Sequence, residues 1–322
     1  MKAIKNSSWL LIILFIAIYP MTLGKLYPYH IPLLIIVGIY VILATSLDLL
    51  VGVTGQISLG HAGFFAIGAY TSGILSATYH ISPPVALGIG LLISGIVAWV
   101  TGRSVLALKG YYLAMATLGL NVVIYTLIVG FQWLTGGATG LRDIPSFTMF
   151  NLTFKSYSQY YYIVWAFVLL IVGSCLAILK SPLGRTLIAI HSDETAASIF
   201  GVDCPKYKLH IFVLSSLYAS VAGSLLAHYM GFISPDDFSF FTSIRILVMI
   251  FLGGAGTIYG PAAGAIFLKI LPELTYRFHD YELLLEGLIL IFVLVFVPGG
   301  LFRILIAMKN QFQNVRFAHW KW

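Results

Sequence analysis

Charge is what this chain lacks. Only 9% of its 322 residues are Asp, Glu, Lys or Arg and 60% are hydrophobic, with a mean hydropathy of +0.97. A soluble domain carries roughly 25% charged residues. Too few charges remain to solvate a surface of this size, which excludes a soluble globular domain and makes lipid the main solvent. Cysteine is almost absent too. Cys175 falls in an apolar run and Cys204 in a charged loop, so they supply neither a disulfide framework nor metal-ligand spacing. Acidic residues number 11 against 18 Lys and Arg, for a net charge of +7. The basic residues sit in short loops between apolar runs, the pattern of membrane topology and not of a nucleic-acid face.

The motifs of several enzyme classes are missing as well. No G-x-x-x-x-G-K-[ST] occurs, so the chain cannot bind ATP through a P-loop, and H-E-x-x-H, G-x-S-x-G and C-x-x-C are absent. No nucleophile and base are paired for intramembrane catalysis. Carboxylates suited to ion coupling are limited to Asp48 and Glu286, fewer than a proton- or sodium-driven carrier usually has. His61 has no second His, Cys or carboxylate at ligand spacing. Neither a metal nor a cofactor is expected, and the chain is not expected to be an enzyme.

Long apolar runs are what is present. A bilayer core takes about 20 apolar residues per helix. That ruler marks ten candidate spans at 8–23, 31–51, 57–78, 84–103, 111–131, 160–180, 209–230, 240–257, 260–276 and 283–302. The expected fold is all-α and polytopic, one transmembrane domain over residues 1–322. Lys2 and Lys5 ahead of the first run imitate a secretory signal, but the run ends in Tyr19-Pro20-Met21 without a small-x-small cleavage site, so it is read as a retained span. Glycine and polar residues interrupt the third, eighth and ninth spans, which marks them as broken or re-entrant.

With the N-terminus in the cytoplasm, the inner side receives Lys2, Lys5, Arg103, Lys109, Lys180, Arg185, Lys206, Lys208, Arg303, Lys309, Arg316 and Lys321. The outer side receives only Lys25, Arg142, Lys155 and Arg277. This asymmetry places both termini inside. Two connections are long, 132–159 outside and 181–208 inside, and loops of that length in a compact protein are usually functional.

The polar residues of the apolar runs concentrate in VGVTGQISLGHAGFFAIGAY, residues 51–70. Its segment 52–63, GVTGQISLGHAG, is echoed at 253–264, GGAGTIYGPAAG, near an offset of 201. That offset lays spans two to four on spans eight to ten in the same direction, as in a parallel internal repeat. Gly55, Gly60, Gly63, Gly253, Gly256, Gly260 and Gly264 are read as helix-packing residues. Small residues let backbones approach closely where no hydrophobic force draws helices together. Ser58, Ala62 and Ala66, and likewise Gly68, Ser72 and Ser76, have the four-residue spacing of such a seam. Asp48, Gln56, Ser58 and His61 bracket the junction of spans two and three. An unpaired charge in hydrocarbon costs about 2.5–3.5 kcal/mol even on the lenient insertion scale. Asp48 must therefore face protein, water or headgroups. It either caps a neighbouring helix or joins Gln56, Ser58 and His61 along a translocation path; His61 is by default a packing histidine.

The inner loop SPLGRTLIAIHSDETAASIFGVD carries Leu183, Leu187, Ile190, Ala197 and Ile199 near helical spacing, with Arg185, His191, Asp193 and Glu194 on other faces. It is too short and polar to span and reads as one amphipathic helix at the cytoplasmic surface. Acids at its centre favour docking into a partner protein over lying on lipid.

These residues together resemble a known family. SLDLLVGVTGQISLGHAGFFAIGAYTSGIL, KGYYLAMATLGL, LTGGATGLRDIP, SPLGRTLIAIHSDETAASIFGVD and ISPDDFSFFTSIRILVMIFLGGAGTIYGPAAGAIFLKILPEL are similar to the LivM-type permeases of ABC importers for branched-chain amino acids, in matching order over residues 30–302. The resemblance implies a subunit of the bacterial inner membrane that admits Leu, Ile or Val. It also implies partners: a second, LivH-type permease, two cytoplasmic ATPase subunits that bind the ATP, and a periplasmic binding protein. The segment 182–203 corresponds to the family's coupling segment, with Arg185, Glu194, Ala196, Ala197 and Gly201 at the positions that transmit ATP-driven closure. Asp48 stands where the family often has Asn, and Arg245 where it is usually apolar. Permeases of this type also serve urea, short amides and other amino acids, and a stand-alone carrier or channel is the alternative outside the family.

Overall fold

The computed structural model describes residues 29–149 and 156–275, with residues 16, 18–21, 152–154, 284, 287, 288, 291 and 300. The expected spans 8–23 and 283–302, and Glu286, lie outside the described residues but for a few positions.

The hub is α1, His30–Thr54. Its 25 residues are apolar on every side, and Ile35, Ile39, Ile42, Leu43 and Leu47 are fully enclosed, as expected of a helix with no polar stripe to turn outward. Against it pack α5 (Tyr157–Lys180), α8 (Cys204–Met230), α9 (Phe240–Gly253) and α10 (Tyr259–Thr275). The remaining long helices are α2 (His61–Ala77), α3 (Pro83–Val105) and α4 (Tyr111–Gly130). Five of them, α1, α3, α4, α5 and α8, are long and apolar enough to cross a membrane. The protein is a helical polytopic membrane protein, and the strands among the described residues are one hairpin pairing Thr148–Met149 with Leu152–Thr153.

Peripheral helices bury only a stripe. In α3 the stripe is Ala86, Gly90, Ser94, Ala98 and Gly102, every fourth residue; in α4 it is Leu113, Thr117, Asn121, Ile124 and Ile128. Leu92, Ile96, Val122 and Leu127 face outward, which costs nothing where lipid is the solvent. The α2–α8 crossing is a small-residue seam. A Cβ on Gly223 would meet the Phe65 carbonyl and come within 2.8 Å of the Ala69 nitrogen, while one on Gly68 would meet the Ser220 backbone.

Several expectations are corrected. The third span does not begin at 57, because residues 55–60 are not helical and α2 starts at His61. The inner loop is not one helix but two, α6 (Pro182–Ser192) and α7 (Glu194–Ile199). Asp193 breaks it: its extended backbone (φ −158°, ψ 106°) lets its carboxylate cap α7 by accepting from Thr195 N–H at 2.9 Å and Ala196 N–H at 3.0 Å. The break turns Ile199 out of the apolar face formed by Leu187, Ile190 and Ala197, so that Ile199 is exposed. The outer connection is shorter than 132–159, since α5 begins at Tyr157 and Gln132–Thr135 form a helical turn.

The connections expected inside meet at one end of the molecule. Lys109, after α3, and Lys208, near the start of α8, both reach Glu194 of α7. Those expected outside meet at the other end, where Leu141 bridges Ile233 and the Tyr125 hydroxyl donates to Asp236.

Candidate functional site

Two interruptions of the helical backbone, one on each side of the glycine echo, form the site. The first is residues 55–60. Helix α1 stops because Gly55 adopts a left-handed conformation (φ 71°) that a side chain disfavours. Three donors then converge on the Leu50 carbonyl: Gly55 N–H, Gln56 N–H at 2.9 Å and the Thr54 hydroxyl at 2.7 Å. The segment beyond is clamped by hydroxyls from other helices. Leu59 N–H donates to Thr117 Oγ1 of α4 at 2.9 Å, and Ala62 N–H, an orphan donor in the first turn of α2, donates to Ser243 Oγ of α9 at 3.0 Å. His61 Nε2 lies 2.7 Å from Ser46 Oγ. The single Ser46 proton already goes to the Leu43 carbonyl (2.8 Å), so His61 Nε2 is the donor and its tautomer is set. Ser215 of α8 donates to the Ser46 carbonyl at 2.6 Å, tying a third helix to the same point.

The second interruption comes after α9, where Gly254 (φ 113°) and Gly256 (φ 76°) take conformations that favour glycine. Asp48 Oδ1 accepts from Gly256 N–H at 2.9 Å. Gly52, one turn along α1, makes this approach possible, because a Cβ there would strike both the Asp48 carboxylate and the Gly256 backbone. Asp48 therefore caps the second break with its buried carboxylate. Gly253, Gly260 and Gly264 bring α9 and α10 together: a Cβ on Gly264 would meet the Met249 carbonyl and lie 2.9 Å from Gly253 N.

The four polar residues singled out in the sequence do not converge on one point. Asp48 goes to the second break and His61 to Ser46. Ser58 Oγ accepts from Gly60 N–H at 3.4 Å. Gln56 is buried with neither amide atom partnered, and Asn121 on α4 is in the same state. Among the glycines, Gly63 packs helix on helix, 2.8 Å from Ile124 and 3.1 Å from Asn121 at its Cβ position, and Gly60 sits against the Thr117 carbonyl. Gly55 and Gly256 serve the turns instead. Ser46, Thr117 and Ser243, which hold the first break in place, were missed in the sequence; their only signal there is a hydroxyl inside an apolar helix.

At the end where the connections expected inside meet, Glu194 Oε1 lies 2.8 Å from Lys208 Nζ and Oε2 lies 3.3 Å from Lys109 Nζ. Partial burial pushes the Glu194 carboxyl up, but the hydrogen bonds and charges of Lys208 and Lys109 outweigh it and hold the group below the usual carboxylate range. Ala197 is buried, Ala196 half-buried, Arg185 exposed, and Gly201 closes α7 with φ 83°. Ile199 and Phe200 stand at the tip, 79% and 87% exposed.

Residues 30–296 match the family described as the permease component of branched-chain amino acid transport systems. The chain belongs to that family. The permease LivM of high-affinity branched-chain amino acid transport from Salmonella typhimurium is 32% identical over 286 residues, 82% of this chain and 67% of the relative. LivH of the corresponding system in Escherichia coli is 24% identical, over 81% of this chain and 90% of the relative. The autoinducer 2 import permease LsrC of Yersinia enterocolitica is 27% identical over 223 residues, 66% of this chain and 57% of the relative. No solved structure matches. Hydroxyls from α4 and α9 thus hold Leu59 and Ala62, while Gly55 and Ile57 stay exposed.

Proposed function

We propose that this permease is the membrane-spanning subunit of an ATP-binding-cassette importer that carries Leu, Ile or Val into the bacterial cytoplasm, with both termini inside. Its partners are a LivH-type permease (or a second copy of this chain), two cytoplasmic ATPase subunits that hold the ATP, and a periplasmic binding protein. The observation that carries the reading is the pair of helix breaks on an uninterrupted, buried α1. Helices α2, α9 and α10 have 17, 14 and 17 residues. At 1.5 Å per residue these span roughly 21–26 Å, short of the about 30 Å hydrocarbon core. Left-handed Gly55 and Gly256 lie 201 residues apart, which supports the parallel repeat and, with the terminal spans, a count of ten. The translocation path runs beside the breaks, with Asp48, Gln56, Ser58 and His61 lining it or setting its walls.

Segment 182–203 couples the permease to the ATPases, as one unit with the rest of the transmembrane domain. Exposed Ile199 and Phe200 offer the apolar contact for an ATPase groove. Glu194, whose two oxygens are both taken by lysines of this chain, holds the segment in place from within. Reconstitution with the partner subunits in liposomes, with labelled leucine outside and ATP inside, tests the proposal. ATP-dependent leucine uptake is expected; uptake of urea but not leucine would change the substrate, and gradient-driven flux by this chain alone would overturn the importer.

A further inference from the structure

The cytoplasmic segment comes close to the first break. The ring of His191, in the last turn of α6, lies flat across the side-chain position that Gly55 leaves empty: Cδ2, Cγ and Nε2 stand 3.4, 3.5 and 3.6 Å from where a Gly55 Cβ would be. Near-equal distances from three ring atoms mean that the face of the imidazole, and not its edge, is turned toward Gly55, with room for one methyl group between them. The hydrogen bonds that hold the far end of the break come from the membrane helices, through Thr117 at Leu59, Ser243 at Ala62 and Ser46 at His61. His191 alone, among these contacts, comes from the cytoplasmic segment.

His191 lies three residues before Glu194 in that segment. Two residues on, Asp193 caps α7, and the next residue, Glu194, is fixed to Lys208 and Lys109. Displacement of α7 has a short covalent path to the His191 ring. The break, in turn, is not saturated. Gln56, the neighbour of Gly55, keeps both amide atoms buried and unpartnered, and so does Asn121 one turn beyond Thr117. Polar groups left unpaired in one arrangement favour a second arrangement in which they are paired.

We propose that His191 is the positioning residue through which the cytoplasmic segment shifts the 55–60 break, moving it between this arrangement and one in which the Gln56 amide is partnered. This rests on the coupling role assigned to residues 182–203. The test uses the complete importer in liposomes, comparing wild type with His191→Ala and His191→Phe, the second of which keeps a flat ring. His191→Ala is expected to retain ATPase subunits on purification and to hydrolyse ATP, but to import at least fivefold less leucine per ATP; His191→Phe restores most of the loss. A thiol placed at half-exposed Ile57 (Ile57→Cys, 42% exposed) is expected to react with maleimide at rates that differ with and without ATP, and His191→Ala removes that difference. Unchanged coupling in His191→Ala, or an ATP-dependent labelling change that survives it, overturns the proposal. Loss of the ATPase subunits from His191→Ala overturns it too, by making His191 a docking residue. None of these outcomes is the failure of the importer reading itself, which shows as absence of ATP-dependent uptake in wild type.

Discussion

The Asp48 carboxylate and the Gly256 amide, 208 residues apart, meet at 2.9 Å and join the two glycine breaks through α1. One oxygen of Asp48 accepts, so the acceptor and not the charge is what the contact requires. Asp48→Asn is expected to fold and transport like wild type. Asp48→Ala strips the acceptor and leaves the Gly256 N–H unpaired, at a cost of about 1–3 kcal/mol. Thermal unfolding of the purified permease, together with uptake, checks this; an Asn variant as impaired as Ala would assign the function to the charge.

Gly55 and Gly256 have positive φ values of 71° and 76°. Alanine at either is expected to destabilise by roughly 1–2 kcal/mol through left-handed strain. Gly119 of α4 is the control, since nothing lies within 4 Å of its Cβ position and Ala there suits the helix. Equal effects of all three substitutions in a melting assay would contradict the turn assignment.

Glu194 separates two lysines that look alike in sequence. The side chain of Lys208 is 11% exposed and that of Lys109 is 73% exposed. Lys109→Gln is expected to cost about 0–1 kcal/mol, as solvated ion pairs do, whereas Lys208→Gln leaves a half-buried carboxylate without its near partner and costs more. Because the Glu194 carboxyl is held below its ordinary range, its stabilisation is complete above the ordinary carboxylate pKa and disappears as pH falls through the lowered value. Stability of wild type minus that of Glu194→Gln, measured from neutral to acid pH, should shrink only at the acid end.

The loop around Pro145, expected outside, is held by a directed chain of hydrogen bonds. Ser224 donates to Ser72 at 2.8 Å, Ser72 lies 2.8 Å from His228 Nε2, and His228 Nδ1 lies 2.8 Å from the Pro145 carbonyl. Since a carbonyl can only accept, Nδ1 carries the ring proton and Ser72 donates to Nε2. Ser72→Ala breaks the chain at its centre. Trypsin added from the outer side is expected to cut at Arg142 several-fold faster in that variant, and an unchanged rate would show that the loop is held by its other contacts.

Hydropathy was enough to place the long helices of the described region, because a bilayer demands long apolar runs and the polar loops between them are unmistakable. It also marked the third, eighth and ninth spans as interrupted; the third and eighth are cut short, at residues 55–60 and 254–258, whereas the ninth is one continuous helix, α10. The start of α2 at His61 was not legible, since Gln56 to Gly60 hold no charge and still include Ile57 and Leu59; the left-handed Gly55 and the hydroxyls of Thr117 and Ser243 decide it. The inner loop read as one amphipathic helix because periodicity carries no sign of a break, and Asp193 breaks it by capping α7.

Composition and motif order were sufficient to put this chain in lipid and to relate its motifs to a family, because both are properties of the chain before it folds. The work of the polar residues emerged only from the folded helices. Asp48, His61 and Glu194 each found a partner from a distant part of the chain, or from several, and hydrogen bonds act over about 3 Å regardless of separation in sequence.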